Sequence, residues 1–444
     1  MEIPYCSRRG LDPEHGGKVG RRGRVLRKDI IVVGAGPAGL MAAGRAASLG
    51  ATVALLEKNS RPGRKLLITG KGRCNFTNDT DVDGLIAGIP GNGKFLYSAF
   101  SRFDSYDLRE FFRELGVESK TERGKRVFPA SGISKDVLRA LVTYITRSGA
   151  RLQLNSRVHK VVVSDKRVQG VVFATGNGEN EFMQCDAVVI ATGGITYAAT
   201  GSTGDGFRIA KELGHTIVQP RASLIPLETV ESWPREVAGL TLRNVQATLT
   251  VDGRKVGSEF GEMLFTHFGV SGPIILSLSR AAASAMVHGN PKIALAIDMK
   301  PALSYEQLDA RILRDFKKHG GQTVLNSLVD LMPRHLVDIV LQEAGVSASK
   351  HISQVTREER LLIGKTLKEL TLHIAGLRPD DEGIVTAGGV DVDEIDPRRM
   401  ESKLIQGLCF AGEVMDIDGM TGGFNLQAAF STGYLSGQSW AEGR

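Results

Sequence analysis

The fold is decided by one stretch near the start of the chain, Asp29-Ile30-Ile31-Val32-Val33-Gly34-Ala35-Gly36-Pro37-Ala38-Gly39. Its β-branched first half predicts a buried parallel strand. Residues 37–49 are rich in Ala and Leu and predict a helix, and Thr52 to Leu56 predicts a second strand. A G-x-G-x-x-G motif inside such a βαβ unit indicates a turn that binds a dinucleotide.

Each glycine of the motif has its own task. Gly34 permits the tight turn, Gly36 lets the backbone approach a pyrophosphate, and Gly39 lets the helix pack closely on the sheet. The N-terminus of the helix offers unpaired N–H groups to the phosphates. Glu57, at the end of the second strand, can accept hydrogen bonds from ribose hydroxyls.

Two later segments favour FAD over NAD as the bound dinucleotide. A strand over 186–191 leads into Thr192-Gly193-Gly194, and residues 407–413 form a second strand that ends in Gly412-Glu413. A Gly-flanked helix start follows near Asn425 and can direct N–H groups at the pyrimidine edge of a flavin. The chain has no second complete G-x-G-x-x-G motif, so we expect NAD(P)H to act only as a transient electron donor.

The remaining pattern predicts an α/β protein. We expect a Rossmann-like FAD-binding domain in two segments, 29–213 and 378–444, with an inserted antiparallel, barrel-like β domain over 214–302 and 371–377. A helical subdomain over 303–370 is nested in that insertion. Helices are predicted over 104–116, 134–148, 205–213, 305–319, 323–342, 356–368 and 425–441, and a small antiparallel layer over 151–163 and 167–174.

Positive charge is concentrated in two places. The chain has 56 basic and 49 acidic residues, a net charge of +7. Residues 1–28 hold eight basic and three acidic residues, which predicts a disordered tail. This tail is interpreted either as a nucleic-acid arm or as an extension without function. Between Glu57 and Asp79 lie six further basic residues and no acidic one, which predicts either an electropositive lip for FAD phosphates or a polyanion, or a solvated loop.

Several classes of protein are excluded. The four cysteines are scattered and form no C-x-x-C, so a disulfide framework is not expected. The histidines never lie closer than 16 residues apart, and no metal site is predicted. No stretch predicts a transmembrane helix or a secretory signal. We therefore expect a reduced, cytoplasmic protein that does not associate with membranes; the sequence leaves its oligomeric state open.

Four segments resemble a known family. They are Pro62–Asn78, Gly261–Ile275, residues 124–132 with Val127-Phe128-Pro129, and Gly412–Ala428. The chain over 29–440 is similar to the NAD(P)/FAD-dependent oxidoreductases that include the bile-acid dehydroxylation flavoprotein and a ribosomal RNA dihydrouridine synthase. The resemblance implies a bound FAD, a β-rich insertion and a nested helical domain. Lys71 departs from the family, which has Gly or a small polar residue there.

The expected site residues follow from the motifs and the resemblance together. We expect FAD to be bound by Gly34, Gly36, Pro37, Ala38, Gly39, Glu57, Lys58, Arg64, Lys65, Arg73, Val158, Ala191, Thr192, Gly193, Gly412, Glu413, Asp416, Gly422, Gly423, Asn425 and Leu426. Cys74 and His267 are candidate catalytic residues. Cys74 lies beside Arg73, a cation that would favour its thiolate, so it either protonates a carbon or packs in the core. His267 either donates a proton near neutral pH or has a structural role.

The resemblance implies that reduced flavin delivers hydride to a C=C bond conjugated to a carbonyl. The favoured substrate is uridine in large-subunit ribosomal RNA, which would become dihydrouridine. One alternative is a reductase of a small, steroid-like enone or an amine oxidase. Another is a flavoprotein that binds RNA without turnover.

Overall fold

The computed structural model describes residues 26–287, 289–379 and 382–442. The first strand begins at Leu26, and its residues 26–28 pair with residues 183–185 of a parallel neighbour. The predicted tail over 1–28 therefore extends three residues too far. The rest of that tail lies outside the described residues.

The structure contains strands and helices in alternation along most of the chain. The strands are β1 (Leu26–Val33), β2 (Val53–Leu56), β3 (Thr77–Asn78), β4 (Ser119–Glu122), β5 (Arg126–Pro129), β6 (Arg151–Gln153), β7 (Arg157–Ser164), β8 (Arg167–Ala174), β9 (Asn180–Ile190), β10 (Ile217–Ser223), β11 (Leu227–Thr229), β12 (Thr241–Val251), β13 (Arg254–Thr266), β14 (Gly269–Ser271), β15 (Ile293–Asp298), β16 (Leu370–Leu377), β17 (Val385–Val390), β18 (Ile395–Asp396), β19 (Glu401–Ser402) and β20 (Leu408–Phe410). The α-helices are α1 (Pro37–Ser48), α2 (Arg64–Ile68), α3 (Val82–Ala87), α4 (Tyr97–Arg102), α5 (Ser105–Glu114), α6 (Ser134–Arg147), α7 (Asp205–Glu212), α8 (Pro273–Val287), α9 (Tyr305–Lys318), α10 (Val324–Ser327), α11 (Arg334–Glu343), α12 (Arg357–Lys368) and α13 (Phe424–Glu442).

A nine-stranded sheet forms the nucleotide-binding half, with the order β18-β19-β20-β9-β1-β2-β6 and the β7–β8 pair attached to β9. Its centre is parallel, since β1 pairs in that sense with β2 and β9, and β9 with β20. Ile31, Val32 and Val188 on these strands are fully buried, as expected for strands covered on both faces. The predicted α/β class with a Rossmann-like sheet is confirmed.

The last helix packs on the first. A Cβ atom at Gly433 would lie 2.3 Å from the carbonyl oxygen of Ala38, and one at Gly437 would lie 2.4 Å from that of Ala42. Only glycine allows the two backbones to approach this closely. Helix α13 thereby covers α1, the helix that begins at the dinucleotide turn.

The predicted strand over 151–163 is wrong as a single element. Strand β6 pairs with β2 in parallel, whereas β7 pairs with β8 in the antiparallel sense. The chain changes direction at Asn155, which has a left-handed φ of 53°. The backbone N–H of Asn155 donates to the carbonyl of Asn59, and that of Ser156 donates to the carbonyl of Glu57. This bend brings Ser156 and Val158 to the edge of the sheet where β2 ends.

The insertion is a closed six-stranded barrel with the order β11-β14-β13-β12-β15-β16, which confirms the predicted antiparallel β domain. Buried positions alternate with half-buried ones along β15 and with exposed ones along most of β16, and Leu249, Leu295 and Leu372 fill the barrel interior. Strand β10, which the prediction placed in the insertion, pairs instead with β17 outside the barrel.

Helices α9 to α12 lie in the chain between the last two barrel strands. Capping boxes begin α9 and α12, in which Ser304 accepts from the N–H of Gln307 and Thr356 from that of Glu359. The predicted helix over 323–342 is wrong as one element, because it is divided into α10 and α11. Pro333 causes the break, since proline disfavours helical backbone in the preceding residue and has no N–H to donate.

Candidate cofactor and active site

One large cavity lies at the carboxyl ends of the central parallel strands. Its volume is about 970 Å³, at the upper end of ligand-binding pockets. Residues that follow β1, β2, β9 and β20 line one end, and residues of the barrel and α8 line the other. This edge of a doubly wound sheet is where ligands bind in open α/β folds.

The structure brings nearly all the expected FAD-binding residues together. All of them except Gly39 and Asp416 line this cavity. The sequence therefore located the site, although binding of FAD by each of these residues stays a prediction. Neither Cys74 nor His267 lines the cavity.

The glycine turn has the geometry that its motif predicts. Gly34 has a φ of 101°, and a Cβ atom there would lie 2.6 Å from the carbonyl oxygen of Ala191. A Cβ atom on Gly39 would lie 1.8 Å from the carbonyl oxygen of Gly34. Gly39 therefore serves the packing of α1 on the sheet, which explains why it does not face the cavity.

The N-terminus of α1 suits a pyrophosphate. No atom lies within 4 Å of the position that a Cβ of Gly36 would occupy, and no side chain caps the helix at Gly36. An uncapped helix start offers its first N–H groups and the positive end of its dipole to an anion. The residues present therefore fit the diphosphate of FAD.

Glu57 holds the turn in place. Its Oε2 accepts from the N–H of Ala35 at 2.7 Å, and its Oε1 accepts from the N–H and Nδ2 of Asn59 at 2.8 and 2.7 Å. A carboxylate has about four lone-pair sites, and these bonds use both sites of Oε1 and one of Oε2, so Oε2 can still accept one ribose hydroxyl. The same side chain thus shapes the loop and faces the cavity.

Lys58 forms an ion pair with Asp205, the first residue of α7. Its Nζ lies 2.8 Å from Oδ2 of Asp205, and Arg157 lies 2.7 Å from Oδ1 of the same residue. Burial alone would raise the pKa of Asp205, but hydrogen bonds from Arg157 and Lys58 hold that pKa below its ordinary value. This cluster closes the end of the cavity beside β7.

Lys65 and Glu413 form a second ion pair inside the cavity. Nζ of Lys65 lies 2.9 Å from Oε2 of Glu413 and also donates to Thr196 at 2.9 Å. Oε1 of Glu413 accepts from the N–H of Thr386 at 2.7 Å. The network connects α2, the loop after β9, strand β17 and the turn after β20.

The basic loop is less positive than its sequence suggests. Arg73 pairs with Glu122, and its guanidinium lies 4.1 Å from the ring centroid of Phe128. Lys58, Lys65 and Arg73 are thus neutralised by carboxylates from distant parts of the chain. Three exposed cations pair with no carboxylate within the described residues: Arg61, Arg64 and Lys71.

The expectation that Cys74 forms a thiolate beside Arg73 is wrong. The Cys74 side chain is fully buried in the core. Burial raises the pKa of Cys74 to about 12, against a smaller lowering by a hydrogen bond with Thr69. Its neighbour Arg73 contacts Glu122 and Phe128 instead, and Cys74 does not line the cavity, which favours the packing role for this side chain.

His267 lies outside the cavity, which corrects its candidacy as a proton donor. It occupies the turn between β13 and β14, where its side chain is exposed. Its ring contacts Phe268 edge-on, with centroids 4.9 Å apart. This turn follows Thr266, the last residue of β13.

Asp416, the second expected residue that does not line the cavity, supports the loop behind it. Its Oδ1 accepts from the N–H of Gly388 and its Oδ2 from Nδ2 of Asn92, each at 3.0 Å. Burial, and then the charge of Asp418, raise the pKa of Asp416. Asp416 thus binds the backbone of Gly388 and the side chain of Asn92, and its contact with FAD stays a prediction.

Two further side chains fix the loop between β20 and α13. Asn425 accepts from the N–H of Gly419 at 2.7 Å and donates to its carbonyl at 2.8 Å. Asp418 accepts from Arg280 of α8 at 2.9 Å and from Ser223 at 3.0 Å. The barrel helix α8 is thereby tied to the loop that lines the cavity.

The sequence missed the residues at the barrel end of the cavity. Arg243 and Glu262 of the barrel line it, and the lining residues Arg126 of β5 and Tyr197, which follows β9, were missed as well. Arg243 lies at a β-bulge between Leu242 and Val245, and alternation alone does not reveal which side chain such a bulge turns inward. The segments around 124–132 and 261–275 were the available signal.

Within residues 26–287, 289–379 and 382–442, no group of three or more His, Cys, Asp or Glu side chains could hold a metal ion. No helix in those ranges is both long and apolar enough to cross a bilayer.

Comparisons with known proteins agree with this geometry. The family described as "HI0933-like protein Rossmann domain" matches residues 28–439. The "Ribosomal RNA dihydrouridine synthase" of Haemophilus influenzae is 30% identical over 410 residues, covering 91% of this chain and 96% of that protein. The "3-dehydro-bile acid delta(4,6)-reductase" of Clostridium scindens is 29% identical and covers 93% and 99%. The solved 3-ketosteroid delta1-dehydrogenase from Sterolibacterium denitrificans covers 95% of this chain and 100% of its own, with 15% identity and a TM-score of 0.55.

The steroid dehydrogenase supports the fold alone, because its sequence identity is low. The family match extends over nearly the whole chain and includes the glycine turn, the basic loop and the barrel. The resemblance inferred from the motifs is confirmed, and so are the oxidoreductase class and FAD as cofactor. The chain is an FAD-dependent oxidoreductase and belongs to the HI0933-like Rossmann-domain family.

Proposed function

We propose that this enzyme reduces a C=C bond conjugated to a carbonyl, and that its substrate is uridine in large-subunit ribosomal RNA. The observation that carries the proposal is one continuous cavity, with the glycine turn at one end and Arg126 and Arg243 at the other. The relative from Haemophilus influenzae, named for this activity, aligns over nearly the full length of both chains.

The protein's own residues would bind and orient the cofactor. The open face of Gly36 and the first N–H groups of α1 would hold the diphosphate, and Oε2 of Glu57 would accept a ribose hydroxyl. The Lys65–Glu413 ion pair would hold α2 and the turn after β20 in place around the cofactor. FAD, when bound and reduced, supplies the hydride that is added to the β-carbon of the enone.

Side chains or water would stabilise the charge on the reduced substrate and protonate its α-carbon. Negative charge develops on the substrate carbonyl oxygen as the β-carbon is reduced, and preorganised donors stabilise it. Arg126 and Tyr197 line the cavity, and a guanidinium and a phenolic hydroxyl are donors of this kind. A proton delivered to the α-carbon by such a hydroxyl or by water completes the saturated bond.

RNA as the substrate is supported by the charge around the opening. Arg61, Arg64 and Lys71 line the cavity without carboxylate partners in the described part of the chain. Cations of this kind bind phosphates. A target uridine would have to leave its stack to enter, as in other enzymes that act on bases.

We propose NAD(P)H as the electron donor, bound only transiently. The chain contains one complete G-x-G-x-x-G turn, and that turn faces the FAD end of the cavity. A donor without its own Rossmann turn would enter and leave through the same opening as the substrate.

The test uses purified holoenzyme, unmodified large-subunit ribosomal RNA and either NADH or NADPH. Mass mapping of RNA fragments should show the gain of two hydrogens at uridine. Small-subunit RNA serves as the matched control and should stay unchanged. If flavin is reduced by NAD(P)H but no uridine gains mass, the proposed substrate is incorrect.

A small enone is the second candidate, because the barrel end of the cavity is largely apolar. Leu224, Met263, Leu276 and Ile384 line it, and the relative from Clostridium scindens is named for reduction of a bile acid. Under this alternative the holoenzyme would reduce a steroid dienone rapidly and leave RNA unchanged.

A further inference from the structure

An aromatic ring and a guanidinium meet at the rim of the cavity. Cζ of Arg123 lies 5.5 Å from the ring centroid of Phe260. Arg123 belongs to the turn between β4 and β5 in the nucleotide-binding half, whereas Phe260 lies on barrel strand β13. The contact therefore spans the two halves of the molecule that enclose the cavity.

The rim is continuous with the cavity on both sides. Nε of Arg126, which lines the cavity, donates to the carbonyl of Arg123 at 3.0 Å. Glu262 follows Phe260 by two positions on β13, so it lies on the same face of the strand, and it also lines the cavity. Arg243, another lining residue, lies 3.9 Å from Glu262.

The contact leaves the aromatic ring available to a ligand. Phe260 is 56% exposed, and Arg123 is exposed as well. A contact that served only to join the two halves would bury the ring, because burial of apolar area is what stabilises such a junction. Arg123 and its exposed neighbour Lys125 also pair with no carboxylate within the described ranges.

We propose that Phe260 and Arg123 form a stacking platform for an unpaired RNA base next to the uridine that enters the cavity. This inference rests on the proposed function. Aromatic rings combined with guanidinium groups bind single-stranded RNA because every base presents a π face. Arg123 and Lys125 would hold the adjacent phosphates, so the platform would keep the flanking nucleotide outside while its neighbour is inside.

The test measures binding rather than turnover. Fluorescence anisotropy gives the affinity of the holoenzyme for a short labelled single-stranded RNA and for an abasic strand of the same length. Phe260→Ala should weaken RNA binding about 5- to 100-fold, the usual range for loss of one stacked base. Binding of the abasic strand to Phe260→Ala should change less than about twofold. Phe260→Trp, which keeps an aromatic ring, should bind RNA about as tightly as the wild type.

A matched control distinguishes the platform from general exposure of aromatic rings. Phe182 on β9 is 42% exposed and lies on a different sheet, so Phe182→Ala should bind RNA like the wild type. Equal loss of RNA and abasic binding in Phe260→Ala, or unchanged RNA binding, would overturn the inference. A lowered melting temperature with loss of both ligands would instead make the contact a structural junction, which also overturns it.

The outcomes separate this inference from the proposed function. If RNA binding depends on Phe260 but the wild type forms no dihydrouridine, the proposed reaction fails and the platform stands. If the wild type reduces uridine and Phe260→Ala binds RNA equally well, the platform alone fails.

Discussion

Lys65 and Glu413, from opposite ends of the chain, form an ion pair of 2.9 Å inside the cavity, and each side chain is only about one-fifth exposed. Glu413 also accepts a hydrogen bond from the backbone N–H of Thr386. The pair is therefore both part of the cavity wall and a connection between distant segments. Its removal should affect cofactor retention and stability together.

We expect Glu413→Gln to lower the free energy of unfolding by about 1–2 kcal/mol, between the values for exposed and buried pairs. The amide keeps the size of the side chain but leaves Lys65 without a counter-charge. Flavin absorbance per protein and thermal unfolding would measure both effects. Glu212→Gln removes an exposed pair with Arg208 and should change neither quantity measurably.

Replacing either of two glycines in the motif should have different effects, one on FAD binding and the other on folding. Gly36 has open space around a Cβ and an ordinary extended backbone, so Gly36→Ala should fold normally. Its methyl group would project towards the phosphates and weaken FAD binding at least about tenfold, a loss of about 1.4 kcal/mol. Gly39→Ala should prevent folding, because its Cβ would lie 1.8 Å from a carbonyl oxygen. Equal behaviour of the two variants in unfolding and FAD titration would contradict this assignment.

The buried thiols should be inert in the native state. Burial raises the pKa of both Cys74 and Cys185 to about 12, and the thiolate is the reactive form. Alkylation near neutral pH followed by peptide mass mapping should therefore label neither residue until the protein unfolds. Cys74→Ala should lose about 1 kcal/mol of stability through lost packing and keep the wild-type pH profile of turnover. Rapid native labelling of Cys74 would restore it as a candidate acid.

Asp205 should make the protein sensitive to acid. Its pKa is lower in the folded state than its ordinary value of 3.8, so it contributes stability above the pKa of the unfolded chain. That contribution is lost as the pH falls through the folded-state pKa. Denaturant unfolding between about pH 6 and 3 should show a shallower loss of stability for Asp205→Asn than for the wild type. Parallel curves for the two proteins would exclude this role.

The unpaired cations of the basic loop should determine the salt dependence of RNA binding. Removing Arg61, Arg64 and Lys71 together should reduce the slope of log affinity against log salt by about 2, since each phosphate contact on a single strand contributes about 0.7. A control with Arg314, Lys317 and Arg357 changed to Ala removes three exposed charges from the helical part of the chain. An unchanged slope in the first variant would show that these cations do not contact RNA.

The sequence predicted the cofactor end of the site well, because its signals are local. Residues 29–39 carry the strand, the turn and the helix start in one uninterrupted stretch, and each glycine has the clearance that its role requires. The interruption at Pro333 was also present in the sequence, but the apolar periodicity on both sides outweighed it in the prediction of one helix.

The chemistry of the site was predicted less well, because it depends on long-range contacts. The acidic partners of Lys58, Lys65 and Arg73 lie far away in the chain, so the loop seemed more positive than it is. The burial of Cys74 and the position of His267 follow from tertiary packing, which neither the neighbouring residues nor their spacing encode. The bulge at Arg243 is likewise a property of strand register.

The packing of α13 on α1 sets an order for biosynthesis. The whole barrel and its nested helices must emerge from the ribosome before Gly433 and Gly437 can contact the backbone of α1. The barrel strands all lie within residues 227–377. The barrel can therefore close before α13 packs on α1, the helix that begins at the dinucleotide turn. We therefore expect the cofactor to bind late, after α13 has been synthesised. A chain truncated before α13 would have an incomplete nucleotide-binding half.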